Sequence, residues 1–189
     1  MEFFRKLIKG RPPLPPSDRT EDILGAQLDG DFRVSPMADT KTSTQQLKLI
    51  GAKNRVTYPS EFVAHVCGRF PGIYVEVKES VWPRPKKYGV GPFWSFLYGL
   101  HTFTSAPESD DWMRLDFVAE SFQRDTHLDV APILRIVGDA NVYCVDSQGA
   151  FCRFDHETNT VEADDLDFWE LFERELQELV ERKHRKIDG

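Results

Sequence analysis

The stretch from Ile133 to Asn159 reads ILRIVGDANVYCVDSQGAFCRFDHETN, and its pattern decides the fold of the chain. Three short apolar runs, rich in β-branched and aromatic residues, are separated by turns that contain Gly138 and Gly149. Runs of this length, bounded by glycine and polar residues, are typical of β-strands. The stretch therefore predicts a three-stranded antiparallel meander, with strands at 133–137, 141–146 and 150–154.

The residues on either side of this meander predict a further hairpin and several helices. Alternation at 73–77 and an apolar run at 92–103 predict two paired strands joined by a long tip. Pro59 suits the first position of a helix that ends near residue 67, and helical spacing predicts another helix over 112–122. After the meander, apolar residues at intervals of three and four predict a terminal amphipathic helix: Phe168, Leu171, Phe172, Leu176, Leu179 and Val180.

These elements predict an α+β fold in a single domain. Its mainly antiparallel sheet consists of the C-terminal meander and the upstream hairpin, is flanked by helices, and is followed by the amphipathic helix. A chain of 189 residues with 40% hydrophobic content can bury one substantial core. We assign residues 44–189 to this domain and residues 1–43 to a Pro-rich, partly flexible extension. Five apolar residues of the extension are candidates to pack on the core: Ile23, Leu24, Leu28, Phe32 and Val34.

The cysteines and the hydropathy predict a cytoplasmic protein. Three cysteines, at positions 67, 144 and 152, are an odd number without Cys-x-x-Cys spacing, which indicates neither a disulfide framework nor a zinc site. Near the N-terminus the apolar residues are interrupted by Arg5, Lys6 and Lys9, which does not suit a signal peptide or a membrane span. We expect neither a cofactor nor a metal.

Asp155, His156 and Glu157 form the triplet that most resembles a catalytic or metal-binding set. Consecutive side chains diverge in strands and in most turns, so three of them rarely meet at one substrate or ion. The alternative is a turn in which Asp155 and Asn159 bind backbone groups. The other histidines are scattered and show neither zinc-site spacing nor a neighbouring nucleophile elbow. We therefore expect no catalytic residues and no enzymatic activity.

The formal net charge of -7 is unevenly distributed along the chain. From residue 155 to residue 181 there are eleven carboxylates and a single Lys or Arg, which is Arg174. Such a surface repels phosphates and attracts a basic protein, so we expect a protein partner and no nucleic acid. The candidate partner-binding residues of this acidic surface are Glu157, Glu162, Asp164, Asp165, Asp167, Glu170 and Glu173.

A loop upstream of the meander is a second candidate for partner binding. It mixes aromatic and basic residues, a composition that is enriched at protein interfaces. The alternative is a solvated hairpin tip, and a basic aromatic loop is also compatible with nucleic acid, although the acidity of the whole chain favours protein. The candidate residues of the loop are Trp82, Arg84, Lys86, Lys87 and Tyr88.

The residues of the meander resemble those of the SUKH superfamily, which comprises fungal glucan-synthesis regulators and bacterial relatives, many of them immunity proteins against polymorphic toxins. A second patch of resemblance lies upstream, where a short Pro-initiated helix at 57–62 is followed by a glycine-containing break at 68–72. In the C-terminal third, the matching positions are Gly138-Asp139, Asn141 to Asp146, Gly149, Phe151, Asp155 to Asn159, Val161 and Phe168.

The resemblance covers roughly residues 44–181, and it implies a function. It implies a SUKH-like domain that acts without catalysis, as an immunity protein that binds one cognate toxin domain and blocks it. The carboxylates of the acidic surface would then attract a basic, nuclease-like toxin. The alternative is a regulatory or scaffold protein of the fungal type, which binds several signalling partners.

Overall fold

The computed structural model describes residues 18–84 and 93–188. Within these residues the chain forms five α-helices, seven β-strands and two short 3-10 helices, at Phe93–Phe96 and Asp111–Met113. The α-helices are α1 (Arg19–Gln27), α2 (Thr44–Lys53), α3 (Ser60–Cys67), α4 (Leu115–Thr126) and α5 (Phe168–Asp188). The strands are β1 (Phe32–Pro36), β2 (Ile73–Val77), β3 (Gly99–Thr102), β4 (Ala131–Ile136), β5 (Val142–Val145), β6 (Phe151–Asp155) and β7 (Thr160–Asp164).

All seven strands form one antiparallel sheet, and their order in the sheet is their order in the chain. The predicted α+β class is confirmed, as are the meander β4 to β6 and the hairpin of β2 and β3. The predicted strand count is wrong, because β1 and β7 extend the sheet at its two edges and β3 pairs with β4. The hairpin and the meander are therefore parts of one continuous sheet.

The two unpredicted strands differ from the others in their burial. Four of the five residues of β7 are exposed and the fifth is half-buried, so its two alternating apolar residues, Val161 and Ala163, form no buried face. Its Glu162 and Asp164 are typical of an edge strand, where charged side chains discourage pairing with another chain. In β1, only Phe32 is buried. Pairing with β6 fixes the conformation of β7, and pairing with β2 fixes that of β1.

The described part of the predicted extension contributes to the sheet and its core. Helix α1 begins after Asp18, whose side chain accepts a hydrogen bond from the backbone N–H of Thr20, and it buries Ile23 and Leu24. Strand β1 then pairs with β2 over five residues. The core therefore includes Ile23, Leu24 and Phe32, as the sequence predicted for these residues, and the sheet begins before residue 44.

One face of the sheet packs against α1, α3 and α5. The aromatic centre of this core is formed by Phe62 of α3 and by Phe168 and Phe172 of α5, all fully buried. The Phe62 and Phe168 rings meet edge to face with centroids 5.3 Å apart, a favourable geometry for aromatic pairs. The predicted apolar stripe of α5 is thus the element that covers this face.

A buried lysine joins the end of α5 to the α1–β1 connection. Lys183 is 2% exposed. Its Nζ donates to Oδ2 of Asp29 at 2.6 Å and to Oδ2 of Asp31 at 3.0 Å, and it lies 5.0 Å from the centre of the Phe32 ring. These bonds offset the cost of removing the ammonium group from water.

The opposite face of the sheet is only partly covered. Helix α4 packs on β4, and its Phe122 meets Phe154 of β6 edge to face at 4.9 Å, in a second, smaller core. On the same face, Arg33 of β1 is exposed and Tyr74 and Glu76 of β2 are half-buried, whereas His101 of β3 is buried. The sheet therefore presents a partly exposed surface on the half that β1 to β3 and the adjoining part of β4 form.

Candidate functional site

The acidic surface predicted from the sequence lies around β7 and the start of α5. Glu157 lies in the turn between β6 and β7, whereas Glu162 and Asp164 belong to β7 itself. Asp165 and Asp167 lie in the connection to α5. Glu170 and Glu173 follow in the first two turns of that helix. The seven carboxylates are therefore neighbours along one edge of the molecule.

Two of these carboxylates form the N-terminal cap of α5. Oδ1 of Asp167 accepts hydrogen bonds from the backbone N–H groups of Trp169 at 2.7 Å and Glu170 at 2.9 Å. The side chain of Glu170 accepts one from the backbone N–H of Asp167 at 2.9 Å. This reciprocal pair is a capping box, which satisfies N–H groups that the helix itself leaves unpaired. Asp167 and Glu170 therefore stabilise the helix.

Two further members of the acidic surface bind other side chains of the protein. Oδ2 of Asp164 accepts from Nη2 of Arg174 at 3.0 Å, and the same Nη2 donates to the Tyr143 hydroxyl at 3.3 Å. Glu173 accepts from the side-chain amide of Gln27 on α1 at 3.3 Å. The remaining members, Glu157, Glu162 and Asp165, are exposed, and the described residues contain no ion-pair partner for them.

The predicted loop is divided between the core and the surface. Trp82 is 2% exposed, and its Nε1 donates to the carbonyl oxygen of Ser95 at 3.2 Å, so its ring does not face a partner. Arg84 lies over the Tyr98 ring at 3.6 Å and its Nη2 donates to Glu76 at 2.9 Å. The other three candidates, Lys86, Lys87 and Tyr88, lie outside the described residues.

Cross-strand register creates a surface that sequence reasoning missed. Tyr74 of β2 pairs with His101 of β3, and His101 pairs with Arg135 of β4, so the three side chains lie in a row on the partly covered face. Trp112, from the second 3-10 helix, packs edge to face against His101 with centroids 5.6 Å apart. We call the surface formed by Tyr74, Tyr98, His101, Trp112 and Arg135 the open sheet face.

The aromatic side chains of the open sheet face support one another. The rings of Tyr74 and His101 are stacked, with an interplanar angle of 18° and centroids 6.1 Å apart. His101 also meets Phe103 edge to face at 4.9 Å. Trp112 nevertheless remains 50% exposed, and Phe117, in the first turn of α4, is 49% exposed. The face thus offers a rigid, water-exposed indole beside buried rings.

The charge at the centre of the open sheet face belongs to Arg135. Burial, and secondarily the charge of Arg135, lower the pKa of His101 to about 4, so its imidazole is neutral at pH 7. Arg84 pairs with Glu76 at 2.9 Å, and Arg33 lies 3.7 Å from the same carboxylate. Arg135 has no carboxylate within ion-pair distance in the described chain, and partial burial lowers its pKa. Within the described residues Arg135 therefore has no ion pair, and the charge of Asp139 acts on its guanidinium only from a longer distance.

One signal in the sequence pointed to part of this surface. The strand pattern at 73–77 buries Ile73, Val75 and Val77 on one face, which places Tyr74 and Glu76 on the other. His101, Trp112 and Arg135 come from separate segments, so only the register of the folded sheet shows that they meet. Tertiary pairing, rather than a local motif, assembles the face.

The triplet Asp155, His156 and Glu157 forms a turn. Oδ1 of Asp155 accepts from the backbone N–H of Glu157 at 2.8 Å, and the His156 N–H donates to the side chain of Asn141 at 3.0 Å. Asn159 has a positive φ of 54°, a conformation that asparagine tolerates in turns. In the described residues, no three side chains of His, Cys, Asp or Glu are grouped so that they could hold a metal ion.

The remaining candidate groups for chemistry are buried or, for Cys67, half-buried, and burial shifts their pKa values. Burial lowers the pKa of His65 to about 3, and its two ring nitrogens are bound to Thr20 and Thr102. Burial also raises the pKa values of the Cys67, Cys144 and Cys152 thiols, which disfavours the nucleophilic thiolate. Where the structure describes helices, none combines the length and apolar composition that a bilayer span requires.

A comparison with protein-family models, curated proteins and solved structures finds no match for this chain. Membership of the SUKH superfamily therefore stays a prediction from the residues of the meander and the upstream patch. The surfaces described above supply the physical basis for a function.

Proposed function

We propose that this protein is a non-catalytic immunity protein, which binds a cognate protein toxin domain in the cytoplasm and blocks its active site or substrate groove. The observation that carries the proposal is the open sheet face, where the half-exposed Trp112 packs on His101, and Arg135, the register neighbour of His101, has no ion pair within the described residues. Tryptophan, tyrosine and arginine are the side chains enriched at the energetic centres of protein interfaces. The resemblance to SUKH immunity proteins supports the same conclusion.

The fold suits inhibition by steric blocking. The aromatic side chains of the open sheet face are held on strands and in ring contacts, so little conformational freedom is lost when a partner binds. A rigid surface of this kind can occupy a groove of another protein without changing shape. The exposed carboxylates of the acidic surface add a long-range attraction for a positively charged partner.

The test is a growth-rescue assay in bacteria. This chain is co-expressed with the C-terminal domain of a large secreted protein encoded immediately beside it, and growth is compared with an empty vector and with an unrelated toxin domain. We expect growth to recover with the cognate domain alone, together with a one-to-one complex on co-purification. A chain that neither restores growth nor binds the domain contradicts the proposal.

A second function, as a regulatory or scaffold protein, has one observation in its favour. The acidic surface and the open sheet face lie on different parts of the sheet, one around β7 and the other on β2 to β4, so two partners could bind together. A scaffold recovers several partners weakly, whereas an immunity protein recovers one tightly. Affinity purification from native lysate, with quantification of each recovered protein, separates the two.

A further inference from the structure

The open sheet face contains the two features that an interface centre requires. Trp112 is a large aromatic side chain that is half exposed although His101 supports it from below. Covering such a ring removes a large apolar area from water, which is the main favourable contribution to protein association. The apolar feature is therefore in place before any partner arrives.

The polar feature is the guanidinium of Arg135. The guanidiniums of Arg33 and Arg84 both contact Glu76. Arg135 lies in register with His101, which is neutral at pH 7; among the described residues no carboxylate is within ion-pair distance of Arg135, and the charge of Asp139 acts on it from further away. A planar guanidinium binds a carboxylate through two parallel hydrogen bonds, and the bond is stronger where water is partly excluded.

We propose that the open sheet face is the surface that contacts the toxin, and that the toxin presents a carboxylate to Arg135 and an apolar side chain to Trp112. This inference rests on the proposed immunity function and names the contact surface and its chemistry. The acidic surface then acts at a distance, since four of its seven carboxylates already bind groups of the protein itself. The open sheet face therefore contacts the toxin, and the acidic surface attracts it from a distance.

The experiment measures binding of the toxin domain, identified in the rescue assay, to purified variants by calorimetry. The contact variants are Trp112→Ser, which removes the exposed ring, and Arg135→Gln, which removes the charge but keeps a polar side chain. The control variants are Leu49→Ser, which removes an exposed apolar side chain of α2, and Arg185→Gln, which removes an exposed guanidinium near the end of α5; neither residue belongs to the open sheet face or the acidic surface. Thermal unfolding of each variant shows whether the fold is kept, and Arg135→Gln tests the face even where Trp112→Ser is unstable.

We expect each contact variant to weaken binding by roughly 30-fold or more, the effect of losing an interface hot spot, and each control to change it by less than about 3-fold. A toxin that binds wild type and folded contact variants with equal affinity overturns the inference, while the immunity function stands. A wild-type chain that neither binds nor rescues overturns both.

Discussion

Two buried histidines, His65 and His101, make folding sensitive to acid, and His65 is the more deeply buried of the two. His65, on α3, lies with Nδ1 2.9 Å from the Thr20 hydroxyl oxygen and Nε2 2.8 Å from that of Thr102. The Thr102 oxygen already accepts the backbone N–H of Ile73 at 3.0 Å, so its own proton is available for Nε2. An imidazolium has protons on both nitrogens and would break this arrangement. Burial accordingly lowers the pKa of His65 to about 3.

The sign of the pH effect follows from proton uptake by the unfolded chain. Between pH 6.5 and pH 3 the unfolded His65 binds a proton and the folded one does not, so the free energy of unfolding decreases as the pH falls through this range. With these two pKa values, His65 lowers the free energy of unfolding by about 2 kcal/mol between pH 7 and pH 5. This is a large part of the stability of an ordinary domain.

The assay is urea unfolding at pH 7 and pH 5 for wild type, His65→Gln and the control His156→Gln. His65→Gln is expected to be less stable than wild type at pH 7, because it loses ring contacts with Phe62 and Phe168. Between pH 7 and pH 5, the free energy of unfolding of His65→Gln is expected to decrease by about 2 kcal/mol less than that of wild type. The control, at an exposed turn residue, keeps the wild-type difference. If His65→Gln and wild type lose the same stability on acidification, the reasoning is refuted.

Three further predictions concern the acidic surface and the end of α5. Asp167→Ala removes the helix cap, and we expect it to lower the free energy of unfolding by about 1 kcal/mol. The control Asp165→Ala is expected to change this free energy by less than about 0.5 kcal/mol, and equal effects of the two variants in urea unfolding contradict the capping assignment. Lys183→Met keeps the buried stem but loses the bonds to two half-exposed aspartates, and we expect a loss of roughly 1–2 kcal/mol that shrinks at 1 M salt. We expect replacement of Glu157, Glu162 and Asp165 by lysine to slow association with a basic partner about 10-fold at low salt and to flatten the salt dependence of the association rate. Stopped-flow mixing measures this rate, and an unchanged rate removes electrostatic steering from the mechanism.

The sequence predicts those parts of the fold that have local signals. The meander has alternating apolar residues and turn glycines, and Gly138 and Gly149 indeed adopt positive φ angles of 82° and 83°. Helix α5 has an apolar stripe at helical spacing. In β7 the signal is weak, because its alternating apolar residues are only Val161 and Ala163, both exposed, and the strand takes its conformation from pairing with β6.

The candidate site was less predictable than the fold. Proximity in sequence indicated the acidic surface, but it did not show that Asp167 and Glu170 cap a helix or that Asp164 binds Arg174. Trp82 was expected in an exposed loop, and it is buried because its indole reaches the carbonyl of Ser95. Composition predicts that a side chain is suited to an interface, but only tertiary packing decides whether it is exposed.

The agreement between chain order and sheet order has a consequence for how the protein folds. Each strand finds its partner in the preceding or following strand, so the sheet can grow by successive addition, without closing a long loop around another strand. Helix α5 is different, since it contacts α1, α3 and β3, which lie far back in the chain. Until α5 docks, the part of the apolar side that α5 covers faces water, and self-association of partly folded chains competes with the last step. Dilute conditions therefore favour productive refolding, because docking of α5 is intramolecular, whereas self-association requires two chains to meet and slows on dilution.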